Sequence, residues 1–422
     1  VEPDQVTDPF GSFLFQIGSY TLSATVSVSE PSDNIRPFPE TEYLAREAAV
    51  RAVMSARNLD VLYVTSPANL VYLTGYEAVW YPWRLPLGCA VVRDPDALIF
   101  FDWTRHEAYA RLHARRDELV LFDYGDAVDV VARALGSRGL TAGTVAVEWS
   151  SQTPAAPVTA AVAAALEAQG AEVVSGDWLV DGVRLLKSDA ELQRVRRAAA
   201  VADEAFAALA HELRPGLTEI QVSALVGRLL ADAGGDQPAQ PALVSSGPTA
   251  WCDTHAFATQ RPLVSGDLVA IDACGVIDRY HANLCRTFSL GAPDERAVAL
   301  LDAAAGSVGE LQRVARVGEG PETAASAANR WVRDRVAGDQ IWWVGGYSLG
   351  ISFSPSWVGH TYLANDGLEP IIWQPGYVSN YETILFDRDA GFEAAAIDTV
   401  LMTATGLEVL SALPRGVTEV DA

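Results

Sequence analysis

Positive charge is scarce in this chain. Its 422 residues carry 30 Lys and Arg against 54 Asp and Glu, a formal net charge of −24. A field of that sign repels phosphate backbones and anionic lipid heads, so neither nucleic acid nor a membrane surface is expected as a partner. Cysteine is scarcer still. Cys89, Cys252, Cys274 and Cys285 form no CxxC pair and are too few for a disulfide framework. A reducing, cytoplasmic setting fits them. No apolar run reaches the roughly 20 residues of a membrane-spanning helix. The first residues are acidic (Glu2, Asp4, Asp8) and lack a basic run, which argues against a secretory signal.

What is abundant points to an ordered enzyme-sized chain. Hydrophobic residues make up 50% and charged residues 20%, enough to bury two or three cores. Residues 1–36 read as an extension with one or two strands in "FLFQIGSYTLSATVSVS". From 37 the pattern alternates. A helix in "FPETEYLAREAAVRAVMSARNL" precedes the strand "DVLYVTS". A hairpin in "LGCAVVRD…ALIFFDW" follows, then helix, strand, helix and strand to residue 176. This alternation predicts an α/β domain over 37–176. The remainder, 177–422, opens with two long helices whose caps are read at Ser188 or Asp189 and at Thr218. It then mixes strands with helices and predicts an α+β domain.

The chemistry concentrates in "DACGVIDRYHANLCRTF", residues 272–288. Asp272 is present, but eleven residues on, where a second carboxylate would complete a metal-binding pair, stands Asn283. Strand alternation puts His281 on the face of Asn283, and Tyr280 and Ala282 on the other.

Six stretches in order resemble the creatinase/prolidase family with its pita-bread catalytic domain. They are "LDVLYVTSPANLVYLTGYE", "RLLKSDAELQRVRRAAAVADEAF", "VSSGP…H" with "SGDLVAIDACG…RTFSLG", "GGYSLGISF", "PGYVSNYE" and "IDTVLMT". The resemblance covers about 37–412. It implies an α/β N-terminal domain followed by an α+β pita-bread domain. Metal-dependent members hold two cations with Asp, Asp, His, Glu and Glu. Matched position by position, Asp272 and Glu382 remain, while Asn283, Tyr347 and Ile397 replace the other three. Amide, phenol and hydrocarbon are poor ligands, so no metal and no other cofactor is expected. The chain resembles instead the metal-free branch of creatinase and the ectoine-hydrolase-like proteins, where a His and a Glu move protons during C–N cleavage.

That resemblance assigns His255 and Glu382 as the acid–base pair. An imidazole titrates near neutrality, so His255 could serve as a base or only bind substrate. Glu382, in the apolar "NYETILF", would have a raised pKa or an ion-pair partner, for instance Arg286. Asp272 would be desolvated and need a partner too, Arg286 or a cationic substrate. His281, Asn283, Tyr347 and His360 are expected around the substrate, with a structural role for His281 weighed equally. In "YEAVWYPWRLP", Trp80, Tyr81 and Trp83 could stack on a ligand and Arg84 clamp a carboxylate, or the loop could be a dimer contact. The family places such a loop near the partner's active site, so a homodimer with a shared site is expected.

Three functions remain open at this point. The first is metal-independent C–N hydrolysis of a small polar metabolite. The second is a lyase, cyclase or isomerase of specialised metabolism on the same pocket. The third is a catalytically dead binding or scaffold protein.

Overall fold

The computed structural model describes residues 35–247, 250, 255–361 and 371–421. The extension expected at 1–36, except for its last two residues, and Cys252 lie outside these. Residues 35–422 form one compact unit with two sheets.

The first lobe opens with α1 (Glu40–Ala56), β1 (Val61–Val64), α2 (Pro67–Thr74), β2 (Gly88–Val92) and β3 (Ala97–Trp103). It continues with α3 (Glu107–His113), β4 (Glu118–Phe122), α4 (Ala127–Gly136), β5 (Thr144–Val147), α5 (Ala156–Ala168), β6 (Glu172–Ser175) and α6 (Leu179–Arg184). The strands order as β4-β3-β2-β1-β5-β6. The hairpin read from sequence is β2–β3; β1–β2 is also antiparallel, while β1–β5, β5–β6 and β3–β4 are parallel. Val61, Leu62, Tyr63 and Val64 are all buried, as a central strand covered on both faces must be.

The second lobe begins with α7 (Asp189–Glu212) and α8 (Glu219–Asp232). Both start with capping boxes, Ser188 with Glu191 and Thr218 with Gln221, which satisfy first-turn N–H groups reciprocally. Then come β7 (Leu243–Ser246), β8 (Leu268–Ile277), β9 (Tyr280–Leu290), α9 (Glu295–Val314), α10 (Pro321–Arg333) and β10 (Ile341–Gly345). β11 (Val378–Asp387), β12 (Phe392–Thr403), β13 (Gly406–Val409) and β14 (Thr418–Val420) complete the chain. The curved sheet orders β10-β11-β12-β9-β8-β7, with β13 on β12 and β14 on β9. The two-residue turn between β8 and β9 has Asp278 and Arg279 both at positive φ, the twist that suits a tight hairpin. The Arg279 side chain anchors it by donating to the carbonyls of Gln237 and Ser352.

Small residues let α7 lie close on this hairpin. A Cβ on Gly275 would overlap the Ala198 carbonyl oxygen and the Ala202 nitrogen, and Ala198 and Ala282 are buried together. One face of β8 and β9 is thereby given to helices, and the other is left for the site.

Candidate active site

Alternation along β8, β9 and β11 decides which side chains meet. Asp272 pairs with Cys285, Cys274 with Asn283 and Glu382 with Ile397, and Ile397 pairs in turn with Cys285. Paired residues share a face, so Asp272, Cys274, Asn283 and Glu382 converge. A hydrogen-bonded chain joins the two carboxyls. Asn283 Nδ2 donates to Asp272 Oδ1 at 2.6 Å, and Asn380 Nδ2 donates both to Asn283 Oδ1 at 3.0 Å and to Glu382 Oε1 at 2.7 Å. Asn380 Oδ1 accepts from the Tyr347 backbone N–H at 2.8 Å, and the Tyr347 hydroxyl accepts from Trp357 Nε1 at 3.0 Å. Asp272 and Glu382 keep 9% and 8% exposure, so the pair is desolvated but not sealed.

Burial dominates the electrostatics. It pushes the Asp272 carboxyl up to about 7, with the Asn283 amide pulling the other way. Burial and then the Asp272 charge push Glu382 up to about 8, against the neighbouring Tyr347 phenol and Asn380 amide. Burial, then Glu382 and Asp272, also hold the Tyr347 phenol well above its ordinary range. Cys274 belongs to this group. Burial raises its thiol first and the Asp272 charge next, so it is held as the thiol.

The other expected residues are placed differently. His281 is fully buried. Its Nε2 accepts the Ala239 N–H at 3.0 Å and its Nδ1 lies 2.8 Å from the Arg279 carbonyl oxygen. Both ring nitrogens serve the backbone, and desolvation followed by the Arg279 charge lowers its pKa to about 3. His281 is therefore a neutral structural ring, not a substrate ligand. Arg286 partners neither Asp272 nor Glu382. Alternation turns it to the helix face, where it binds Asp398 at 2.7 Å and the carbonyl of Ile397 at 3.0 Å. His255 is exposed and packs on Trp342, ring centroids 5.3 Å apart. Trp342 stands three residues along β10 from Gly345, the partner of Glu382, roughly 10 Å of strand. Asp253, two residues before His255 and by sequence a candidate to orient its ring, lies outside the described residues.

His360 lies on the wall of a cleft between the lobes, with its backbone N–H donating to Ser348 Oγ. Tyr81 lines the same cleft, packed on Phe353 at 5.3 Å, and donates to the Tyr76 carbonyl. Trp80 and Trp83 are 45% and 55% exposed. Trp80 packs on Trp103 and His106, and Arg84 lies over the Trp83 ring at 4.3 Å. The aromatic loop thus divides, with Tyr81 turned inward and the tryptophans outward.

Sequence reasoning missed Asn380, which holds the two halves of the site together. Its only signal was its position two residues before Glu382 on one strand face. Cys274, which the sequence marks only as a small apolar strand residue, also shares this face through its pairing with Asn283.

The creatinase/prolidase N-terminal domain pattern matches residues 46–186, and the metallopeptidase family M24 pattern matches residues 193–404. The chain belongs to metallopeptidase family M24. Among its M24 relatives, the ectoine hydrolase of Halomonas elongata is 26% identical over 408 residues, covering 90% of this chain and 97% of the relative. The Xaa-Pro dipeptidase of Pyrococcus furiosus is 23% identical over 239 residues, 57% of this chain and 66% of that one. A dipeptidase structure from Pyrococcus horikoshii shares the fold with TM-score 0.76 at 18% identity, covering 89% of this chain and 99% of that one. The X-Pro aminopeptidase of Thermotoga maritima does so with TM-score 0.74 at 18% identity, over 89% and 99%. The architecture is the expected one, an α/β N-terminal domain followed by an M24 pita-bread domain.

The residues present do not fit the two cations that the family's metalloenzymes hold. The amide nitrogens of Asn283 and Asn380 point hydrogens at the Asp272 and Glu382 oxygens. Ile397 sits in an apolar cluster with Cys285, Ile384, Phe386 and Ala395. Among the described residues no group of three or more His, Cys, Asp or Glu could hold a metal ion.

Proposed function

We propose that this chain is a metal-independent hydrolase that cleaves a C–N bond in a small polar metabolite, with Glu382 and His255 moving the protons. The observation that carries the reading is the chain Asp272–Asn283–Asn380–Glu382, in which amides face the carboxyls where the metalloenzymes have cations. A carboxyl raised to about 8 is largely protonated at neutral pH and suits a general acid. In the reaction, water adds to the carbon and the C–N bond breaks. Glu382 gives its proton to the departing nitrogen, and His255, reaching in from the rim, takes the proton from water. Asp272 and the Tyr347 phenol hold the polar groups of the substrate. The full-length likeness to ectoine hydrolase supports an amidine-like or amide-like substrate.

The test uses protein purified without chelator and assayed by NMR on ectoine, creatine and a Xaa-Pro dipeptide, with and without EDTA. Cleavage of an amidine, guanidine or amide C–N bond that is indifferent to EDTA is expected. Glu382→Gln and His255→Asn should each lower turnover at least about a hundredfold. Peptide cleavage that needs added zinc or manganese and stops on chelation overturns the reading. The proposal extends to a homodimer in which the exposed Trp80 and Trp83 approach the partner's site. Light scattering that finds a strict monomer at micromolar concentration removes that part. No helix among the described residues is long and apolar enough to cross a membrane.

A further inference from the structure

A cleft of about 790 Å³ lies between the lobes, within the range of small-molecule sites. Ser66, Ser150 and Asp177 on its wall follow the C-terminal ends of β1, β5 and β6, where open α/β sheets bind ligands. The opposite wall is the segment from Ser348 to His360. The carboxyl pair is not part of this cleft's described wall. Ser348 bridges Ser379, and alternation turns Ser379 away from Asn380 and Glu382. Asp272, Asn283, Tyr347 and Glu382 are not on its described wall.

Two cations on this wall are poorly partnered. Lys187 is 8% exposed, and its ammonium donates once, to the Leu185 carbonyl at 3.1 Å. The Arg184 side chain is 18% exposed and makes no hydrogen bond among the described residues; Asp181 stands 3.6 Å from Nη2. Its Nε and Nη1 are buried without a partner. The nearby acids are already committed. Glu191 accepts from the Ser188 N–H and the Tyr280 hydroxyl, and Asp181 accepts from Asn69. Burial pushes the Lys187 amine down to about 7, Glu191 opposing and Arg184 adding to the shift. Two neighbouring cations with so few acceptors destabilise the fold unless an anion lies between them.

We propose that the inter-lobe cleft binds a small organic carboxylate, its carboxylate held by Arg184 and Lys187 and its apolar body against Leu349, Ile351 and Phe353. The charge selects the anion. Arg184 and Lys187 face Asp181 and Glu191, both already accepting hydrogen bonds from other groups, and the other charged residues on the wall are Arg57 and Asp177. The wall carries three cations, Arg57, Arg184 and Lys187, against three carboxylates, Asp177, Asp181 and Glu191, a balance that suits a monoanion better than a phosphate dianion.

Calorimetric titration of the full-length protein with phenylacetate, acetate and inorganic phosphate at pH 6.5 tests this. Phenylacetate should bind more tightly than acetate, and phosphate least. Arg184→Met and Lys187→Met should each weaken phenylacetate at least about tenfold. Gly182→Leu guards against loss of folding. Gly182 lies on the cleft wall, where an added Cβ meets nothing within 4 Å, so the variant keeps both cations and fills space. It should block phenylacetate with an unchanged circular dichroism spectrum. Phosphate binding in preference to both carboxylates, no saturable binding of either carboxylate, or unchanged phenylacetate affinity in Gly182→Leu and Arg184→Met overturns the proposal.

Discussion

Replacing Glu382 by Gln should make the protein more stable at alkaline pH while removing its activity. The carboxyl lies 8% exposed beside Asp272, and its pKa rises from an ordinary 4.5 to about 8 in the fold, first through burial and then through the Asp272 charge. A raised acid favours the folded state only while it is protonated. Its contribution is full below about 4.5 and is lost as pH climbs through about 8. At about 1.4 kcal/mol for each pH unit, the whole interval corresponds to an upper bound of about 5 kcal/mol, and relaxation with water entry reduces this to roughly 2 kcal/mol. Gln mimics the protonated acid at every pH. Its oxygen can still accept from Asn380 Nδ2, now 2.7 Å from Glu382 Oε1, and its amide can face Asp272. Urea unfolding at pH 5, 7 and 9 should therefore show near-equal midpoints at pH 5 and a gain of about 2 kcal/mol for Glu382→Gln at pH 9. A variant less stable than the native protein at pH 9, or an unaltered slope of stability with pH, refutes the buried-acid argument.

Asn283→Asp would set a second carboxylate 2.6 Å from Asp272 Oδ1; it should lose about 2–4 kcal/mol at pH 8 and less at pH 5, where the new acid is protonated, measured by urea midpoint. Arg286→Met strips a 2%-exposed guanidinium from the fully buried Asp398 and should cost about 3 kcal/mol, with Arg415, 2.5 Å from Asp398, limiting the loss; a midpoint shift below about 1 kcal/mol would show that Arg415 suffices. Gly275→Val forces α7 off β8 and should leave little folded protein at 37 °C by circular dichroism. Metal analysis of the native protein should find no stoichiometric zinc, manganese or iron.

Periodicity and capping made the scaffold legible. Ser188 and Thr218 mark the starts of α7 and α8 because an Ser or Thr with Glu or Gln three residues on closes two backbone hydrogen bonds locally. The β2–β3 and β8–β9 pairings follow from short intervening turns. Period-two alternation also put Asn283 on the right face. It did not settle what each polar residue would meet. By sequence Arg286 suits Asp272 or Glu382, yet on β9 it faces the helices and its partner Asp398 is over a hundred residues on. His281 shares the face of Asn283, but the Ala239 and Arg279 backbone groups that bind its ring come from segments with no signal in the sequence. Asn380 reads as an ordinary strand residue until β11 is laid beside Tyr347. Long-range hydrogen bonding, not local propensity, decides these positions. The inter-lobe cleft is further from view, because its walls come from both lobes.

Two carboxyls on one buried face need their charge balanced. In a cation-binding site the metals supply the balance and both acids stay ionised. Here the neighbours are amides, which donate hydrogen bonds without carrying charge, so the remaining balance must come from protons. Asp272 at about 7 and Glu382 at about 8 place that uptake at neutrality, where two adjacent acids resist ionising together. Near pH 7 the pair then holds one ionised and one protonated carboxyl in much of the population, an acceptor and a donor in the same pocket. On the proposed metal-independent reading, protons in place of cations change what the site responds to. A metal centre is governed by chelators and metal supply, whereas this one should be governed by pH. A turnover that rises and falls across pH 6–9 and ignores EDTA is the signature of the proton-balanced site, and a flat pH profile with chelator sensitivity is the signature of a metal that the side chains described above give no place to sit.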